Sequence, residues 1–376
     1  MTTPDVIVVG AGIIGCAVAR ELARRDRTVL VVERDSPGRR ATWAAAGMLS
    51  PLGEAGGGGP FLELADESLN RYARFAEELQ AESGIDVEYR TDGKLHVAFA
   101  DDDTELHALA VDPLAARFDA SLMGAAEARH LEPALADDIR TALLVKRDHR
   151  VNNRLLAQAL LGSAVSAGVR FRTANPVAGL LSRDGYVTGV RLTSGEQINA
   201  PDVVLAAGAW SAQLAGLPRP LPVRPVKGQM FAVDSRADVP GQVRLRHVIA
   251  ASDCYIIPRD DGRILVGATV EDAGFRRGPT PRGIGILMAA AARVVPALAD
   301  LPLVETWAGF RPATPDNLPI IGADPSLRGL TYATGHYRNG ILLAPVTAWV
   351  VAELITHGRT QLDVTPFQVT RFQHTQ

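Results

Sequence analysis

DVIVVGAGIIGCAVARELARRDRTVLVVE, residues 5–33, reads as a buried strand, a glycine turn, an amphipathic helix and a second strand that stops on an acid. Asp5 to Val9 is the first strand, Gly10 to Gly15 the turn, and Arg27 to Val32 leads to Glu33. Gly10 permits the tight turn, Gly12 lets backbone approach a phosphate, and Gly15 lets helix and strand pack closely. The helix start turns its free N–H groups and positive dipole end toward a pyrophosphate. Glu33 suits ribose hydroxyls and repels a 2′-phosphate. The ordered set of five features, rather than GxGxxG alone, predicts a dinucleotide site.

At 376 residues the chain can bury a substantial core and has the length of two or three domains. Hydrophobic residues at 47% and charged residues at 22% are ordinary for a globular protein. The net charge of −3 is spread over mixed signs, which gives no footprint for nucleic acid. The densest basic cluster, Arg24, Arg25 and Arg27, closes the first helix, where it complements the dipole. Cys16 and Cys254 form no CxxC and the histidines no HExxH spacing, so neither a disulfide framework nor a metal site is expected. No leader is visible before Val6, and the apolar stretch Ile341–Ile355 is shorter than the ~20 residues a membrane span needs. A soluble, cytoplasmic protein without membrane contact is expected.

Further along, a helix is predicted over 61–83, a second over 152–168 capped by Asn152 or Asn153, a third over 282–295 and a last one over 340–355. Strands are predicted at 94–100, 169–172, 186–192, 197–198, 202–205, 222–233, 263–267, 304–311 and 330–333. The glycine-rich stretch 53–60 reads as a mobile loop, with residues 56–59 a possible lid. The interleaving predicts an α/β fold: a Rossmann-type domain assembled from residues 1–85, 146–218 and 310–376, and an antiparallel-sheet α+β substrate domain from 86–145 and 219–309.

Three segments carry further chemistry. Ala41 to Met48 is small-residue backbone suited either to a flat ring or to a tight helix contact. Gly335 to Ile341 opens the last helix, a place for negative charge on a reduced ring, with Arg338 as a cation beside it. Arg311, on an apolar strand, is either paired with an acid or kept for an anionic ligand. Tyr255 reads by default as a core tyrosine, and Gly208 ends a second strand where backbone comes close to something. Serine-histidine-acid, Walker and paired-carboxylate patterns are not seen, so a cofactor must carry the chemistry.

On WAAAGML (43–49), VVLAAGAWS (203–211), CYIIPR (254–259), GRILVGAT (262–269), WAGFRPATPDNLPIIG (307–322) and TGHYRNGILLAPVTA (334–348), the chain resembles the glycine oxidase branch of the D-amino acid oxidase flavoprotein family, associated with thiamine biosynthesis. The resemblance implies noncovalent FAD. It places Gly10, Gly12, Ile13, Ile14, Gly15, Glu33 and Arg34 at the ADP half and Ala41, Thr42, Ala46, Gly47 and Met48 at the flavin half. Val177 becomes an adenine-side backbone contact and Gly208 a cofactor-side glycine. His336, Tyr337, Arg338, Asn339, Gly340, Ile341 and Leu342 surround the isoalloxazine. Arg311 becomes the substrate-carboxylate arginine, Tyr255 its neighbour and Arg338 a second substrate-side arginine. The implied reaction is hydride transfer from the amine's Cα to the flavin, reoxidation by dioxygen to hydrogen peroxide, and imine hydrolysis to a keto acid, with homotetramers common among relatives. Val270 is placed to line the pocket. A broad D-amino acid oxidase, an amine dehydrogenase using another acceptor and a non-catalytic FAD-binding protein are the alternatives, the last favoured if an internal acid locks Arg311.

Overall fold

The computed structural model describes residues 3–54, 58–99, 103–236 and 243–372. Its N-terminal strand, Val6–Val9, lies inside a six-stranded sheet ordered Ile320–Ala323, Leu330–Thr334, Asp202–Leu205, Val6–Val9, Val29–Val32, Arg170–Arg172. All neighbours are parallel except the first pair. Unbroken apolar strands such as VIVV and VLVV arise because both faces are covered. Val6, Val8, Val29 and Val31 face a four-helix layer of Ile13–Ala23, Pro60–Ser83, Asn153–Ser166 and Gly340–His357. Ile7, Val9, Val203 and Leu205 face the antiparallel meander Val177–Arg183, Tyr186–Leu192, Gln197–Asn199.

The helix Gly340–His357 is apolar and long enough to cross a membrane, but most of it is buried within this layer. Arg20 bridges helices from the inside: its guanidinium reaches Glu78 at 3.1 Å and Glu82 at 2.7 Å, and Nε donates to Ser163. Arg24 of the basic cluster also ion-pairs with Glu78, at 2.5 Å, so this cluster does more than complement a dipole.

An eight-stranded sheet runs Leu303–Ala313, Arg224–Asp234, Arg263–Gly267, Tyr255–Pro258, Val248–Ala250, Lys94–Ala98, Thr141–Val145, Ala120–Gly124. Leu95, Val97, Ile256 and Val266 point to one face, under the helix Pro281–Val294. Met230, Val248, Tyr255 and Trp307 point to the other, toward Ala44, Ala46 and Met48. The strands Val177–Arg183, Thr141–Val145 and Ile320–Ala323 had no separate signal, while the strand expected over 94–100 ends at Ala98. Of the glycine stretch, residues 55–57 lie outside the described set.

Candidate functional site

One cavity of about 720 Å³ runs between the two sheets, within the range of small-molecule and cofactor sites. At its first end lies the glycine turn. Gly10 has φ +106°, and a Cβ there would sit 2.5 Å from the Ala206 carbonyl oxygen. This is the close approach that the AAG segment after Leu205 required. A Cβ on Gly15 would sit 1.9 Å from the Gly10 carbonyl oxygen, so only glycine lets the helix start under the turn. Gly15 therefore packs inside rather than lining the cavity, whereas a Cβ on Gly12 would meet only the Thr42 hydroxyl, 3.5 Å away.

The helix N-terminus is not wholly free, because the Thr42 hydroxyl accepts the Ile13 N–H at 2.9 Å. Glu33 is buried, and its carboxylate accepts the Ala11 N–H at 2.8 Å and the Asp35 N–H at 2.9 Å. The acid thus stitches the turn while each oxygen keeps a second lone pair for another donor. Ile13, Ile14, Arg34, Val177 and Gly208 line the same end. Trp210 closes it, with the Arg34 guanidinium 5.0 Å and that of Arg40 5.6 Å from its ring centre.

In mid-cavity, Ala41–Ala44 is one short helical turn and Met48–Leu49 a strand, leaving Ala45 to Gly47 as irregular backbone lining the cavity. This segment is fastened from behind. Asn152 caps the helix after it, and Asn153 donates to the Thr42 carbonyl at 2.8 Å. Arg259, fully enclosed, donates to the carbonyls of Ala46 at 2.7 Å and Val151 at 2.6 Å, and burial lowers its pKa to about 10. Opposite, Tyr337 has φ +46° and donates its N–H to the Pro312 carbonyl, and Asn339 precedes the last helix. His336 is buried against Thr347, 3.0 Å from its hydroxyl, and burial lowers its pKa to about 3, so the ring is neutral. Tyr337, Arg338, Gly340 and Ile341 line the cavity; Leu342 does not, because it turns into the helical core where its carbonyl accepts the Ser68 hydroxyl.

The far end is the cavity face of the larger sheet, cut back by three glycines. A Cβ on Gly228 would lie 2.5 Å from the Arg311 guanidinium, one on Gly267 2.7 Å from the Tyr255 ring, and one on Gly309 2.4 Å from the Ala44 Cβ. None of the three has a positive φ, so what glycine supplies at each is space. Arg311 therefore lies flat on the sheet, Nη1 donating to the carbonyls of Thr269 at 3.0 Å and Lys227 at 3.4 Å. Among the described residues no carboxylate pairs with it. Tyr255 is half-buried, its hydroxyl 3.7 Å from the Met230 sulfur, so it is a wall of the cavity rather than a core residue. Trp307, Gly309 and Arg311 alternate along one strand; Trp307 donates to the Ala44 carbonyl at 3.2 Å. Val270, 62% exposed, borders the opening.

Sequence reasoning missed Gly228, Gly267, Gly309, Arg259, Asn153 and Trp210 as parts of this site. Gly228 sits inside its strand between Lys227 and Gln229 and Gly267 ends the apolar run of its own; a glycine within a strand is a signal of close approach. Among the described residues no group of acids, histidines and cysteines is arranged to hold a metal.

A glycine turn that only small residues can form, an acid at the second strand end and a long cavity ending on a cation define a dinucleotide-dependent oxidoreductase fold. The cradle fits FAD: the open space above Gly12 would admit a pyrophosphate, Glu33 retains lone pairs that would meet a ribose, and Ala45 to Gly47 line the cavity where a ring would lie, the Ala46 and Gly47 carbonyls being already held by Arg259 and Val151. The family model described as DAO, FAD dependent oxidoreductase, matches residues 5–354, and the chain belongs to that family. It is similar to the glycine oxidase of Pseudomonas aeruginosa, 38% identical over 367 residues, 96% of this chain and 97% of that one. It is also 38% identical over 371 residues to the bifunctional protein ThiO/ThiG of Trichormus variabilis, covering 99% of this chain and 55% of the relative. The chain thus spans about half the length of the first curated relatives it matches. The crystal structure of glycine oxidase from Geobacillus kaustophilus superposes with a TM-score of 0.93 at 35% identity, over 99% of both chains.

Proposed function

We propose that this chain oxidatively deaminates glycine and similar small amines, including sarcosine and small D-amino acids. Glycine, water and dioxygen become glyoxylate, ammonia and hydrogen peroxide. The observation that carries this reading is Arg311, a cation at the cavity end whose partners among the described residues are backbone carbonyls. It binds the substrate carboxylate through the remaining part of its planar fork. Tyr255 forms the wall beside it, and Arg338 adds a second positive group at the opening. Bound FAD supplies the two-electron acceptor for hydride from Cα.

With the amine bound neutral, the protein's residues have to align Cα and exclude water rather than remove a proton. His336 stays uncharged at neutral pH, so the local positive charge comes from the arginines. An internal acid on Arg311 would have favoured a non-catalytic FAD protein, and no carboxylate among the described residues pairs with it. The names of the ThiO/ThiG relatives support supply of the product to thiamine synthesis. Buried free thiols at Cys16 and Cys254 support a reducing cytoplasm. Exposed Ile286, Met288, Leu303 and Val304 support self-association, read as a homotetramer and tested by sedimentation velocity.

Anaerobic mixing with glycine, sarcosine or D-proline is expected to bleach the flavin absorbance, and readmitted oxygen to restore it with release of peroxide. If none of the three bleaches it, the reading fails. Arg311→Ala is expected to lose roughly 1.5–3 kcal/mol per hydrogen bond to the carboxylate, seen as a fall in kcat/KM for glycine. Unchanged turnover at low glycine would move the carboxylate site elsewhere.

A further inference from the structure

The strand carrying Arg311 does not itself hold the guanidinium; its hydrogen bonds go to the Lys227 carbonyl of the neighbouring strand at 3.4 Å and, shorter, to the Thr269 carbonyl at 3.0 Å. Thr269 is followed by Val270, whose side chain is exposed, and by Glu271. The bare stretch is tied down on both sides. Lys227 and Glu271 exchange backbone hydrogen bonds of 3.0 and 2.9 Å, and Thr269 donates its N–H to the Gln229 carbonyl at 3.3 Å. The side chains lock the same piece again. The Thr269 hydroxyl accepts the Gln229 N–H at 2.9 Å and donates to Glu271 Oε1, and the Gln229 amide, fully buried, donates to that same oxygen at 2.6 Å. Buried Lys227 places its ammonium 3.6 Å from Glu271 Oε2. Gln229 is held in turn by Thr280, whose N–H it accepts at 2.6 Å.

We propose that Glu271 is a positioning residue for Arg311: by gathering the Thr269 hydroxyl, the Gln229 amide and the Lys227 ammonium, it fixes the Thr269 carbonyl that orients the guanidinium. Arg311 Nη1 is then spent on the protein, and the rest of its fork has one orientation in which to meet a carboxylate. Burial raises the Glu271 carboxyl, but the hydrogen bonds from Thr269 and Gln229 and the charge of Lys227 outweigh it and hold it below the usual carboxylate range. Glu271 touches neither substrate nor cofactor in this assignment. The inference rests on the reading of Arg311 as the carboxylate site.

The test uses holoenzyme carrying Glu271→Ala, Glu271→Gln, Thr269→Val or Arg311→Ala. It follows glycine turnover and the flavin absorbance shift on adding glycolate, which has the carboxylate but no amine to oxidise. Glu271→Ala and Thr269→Val are expected to raise KM for glycine and Kd for glycolate about tenfold, with kcat changed less than about threefold. Glu271→Gln keeps an oxygen acceptor for the Thr269 hydroxyl and is expected to restore most of the affinity. The flavin spectrum of the ligand-free variants should match the parent, which a general loosening of the fold would not permit. Unchanged glycolate affinity in both Glu271→Ala and Thr269→Val, with affinity lost in Arg311→Ala, overturns the positioning role alone. Unchanged affinity in Arg311→Ala overturns the carboxylate reading beneath it. Should Glu271→Ala not fold, Thr269→Val decides the matter by the same readout.

Discussion

At the Gly10 end of the cavity, the acid that stitches the turn is 22 positions from its partner Ala11; at the Arg311 end, the carbonyls that hold the guanidinium are 42 and 84 positions away. The first end is mainly a local product of one strand, turn, helix and strand. The second exists only when distant strands pair in register, with Gly228 opposite Gly309 and Tyr255 opposite Gly267. On the proposed reading, cofactor anchoring is tied to the fold of one short segment, and substrate binding to the register of a sheet.

Substitution should separate the two ends. The largest effect is expected from Gly15→Ala, because the new methyl collides with backbone that cannot swing aside. Overpacking of this kind costs about 1–3 kcal/mol or more, and the purified variant should contain little FAD by absorbance. Gly228→Ala should do less to the fold and more to the substrate, because its methyl displaces a side chain. FAD content should stay near the parent's while KM for glycine rises about tenfold to a hundredfold, a loss of about 1.4–2.8 kcal/mol in binding. If Gly228→Ala also loses FAD, the ends are not separable in this way.

The last effect concerns acid pH and vanishes at neutral pH. An unfolded histidine titrates near 6.5, whereas burial holds folded His336 at about 3. Between those values the unfolded chain binds the extra proton, so the stabilisation from neutral His336 is complete above the unfolded pKa and is lost as pH falls toward 3. The slope from this group approaches about 1.4 kcal/mol per pH unit. His336→Asn should remove that component, measured as a flatter dependence of the urea midpoint on pH between 7 and 5.

Legibility in the sequence follows the same division. Residues 5–33 gave strand, turn, helix and acid because each feature depends on neighbours, and the helices over 60–83 and 153–166 were visible from their period and caps. Asn152 and Asn153 looked interchangeable as caps; only the fold shows that Asn153 faces back to the Thr42 carbonyl. Arg311 stood out as a cation on an apolar strand, but the choice between an internal partner and a ligand depended on Thr269 and Lys227. Strands such as Ile320–Ala323 were hidden because their length and apolar content do not distinguish them from adjoining loop. Space-making glycines with ordinary φ have no local signature beyond interrupting a strand.

The strand Leu303–Ala313 acts as a gauge. Trp307 and Gly309 set where the Ala44 backbone can lie, and Arg311 lies at the far end of the cavity, so two-residue steps of about 6.6–6.8 Å measure the gap between them. Such a gauge is tolerant of side-chain change at the intervening positions and intolerant of any change in count. Deleting one residue between Gly309 and Arg311 would carry the guanidinium to the opposite face of the sheet, away from the cavity.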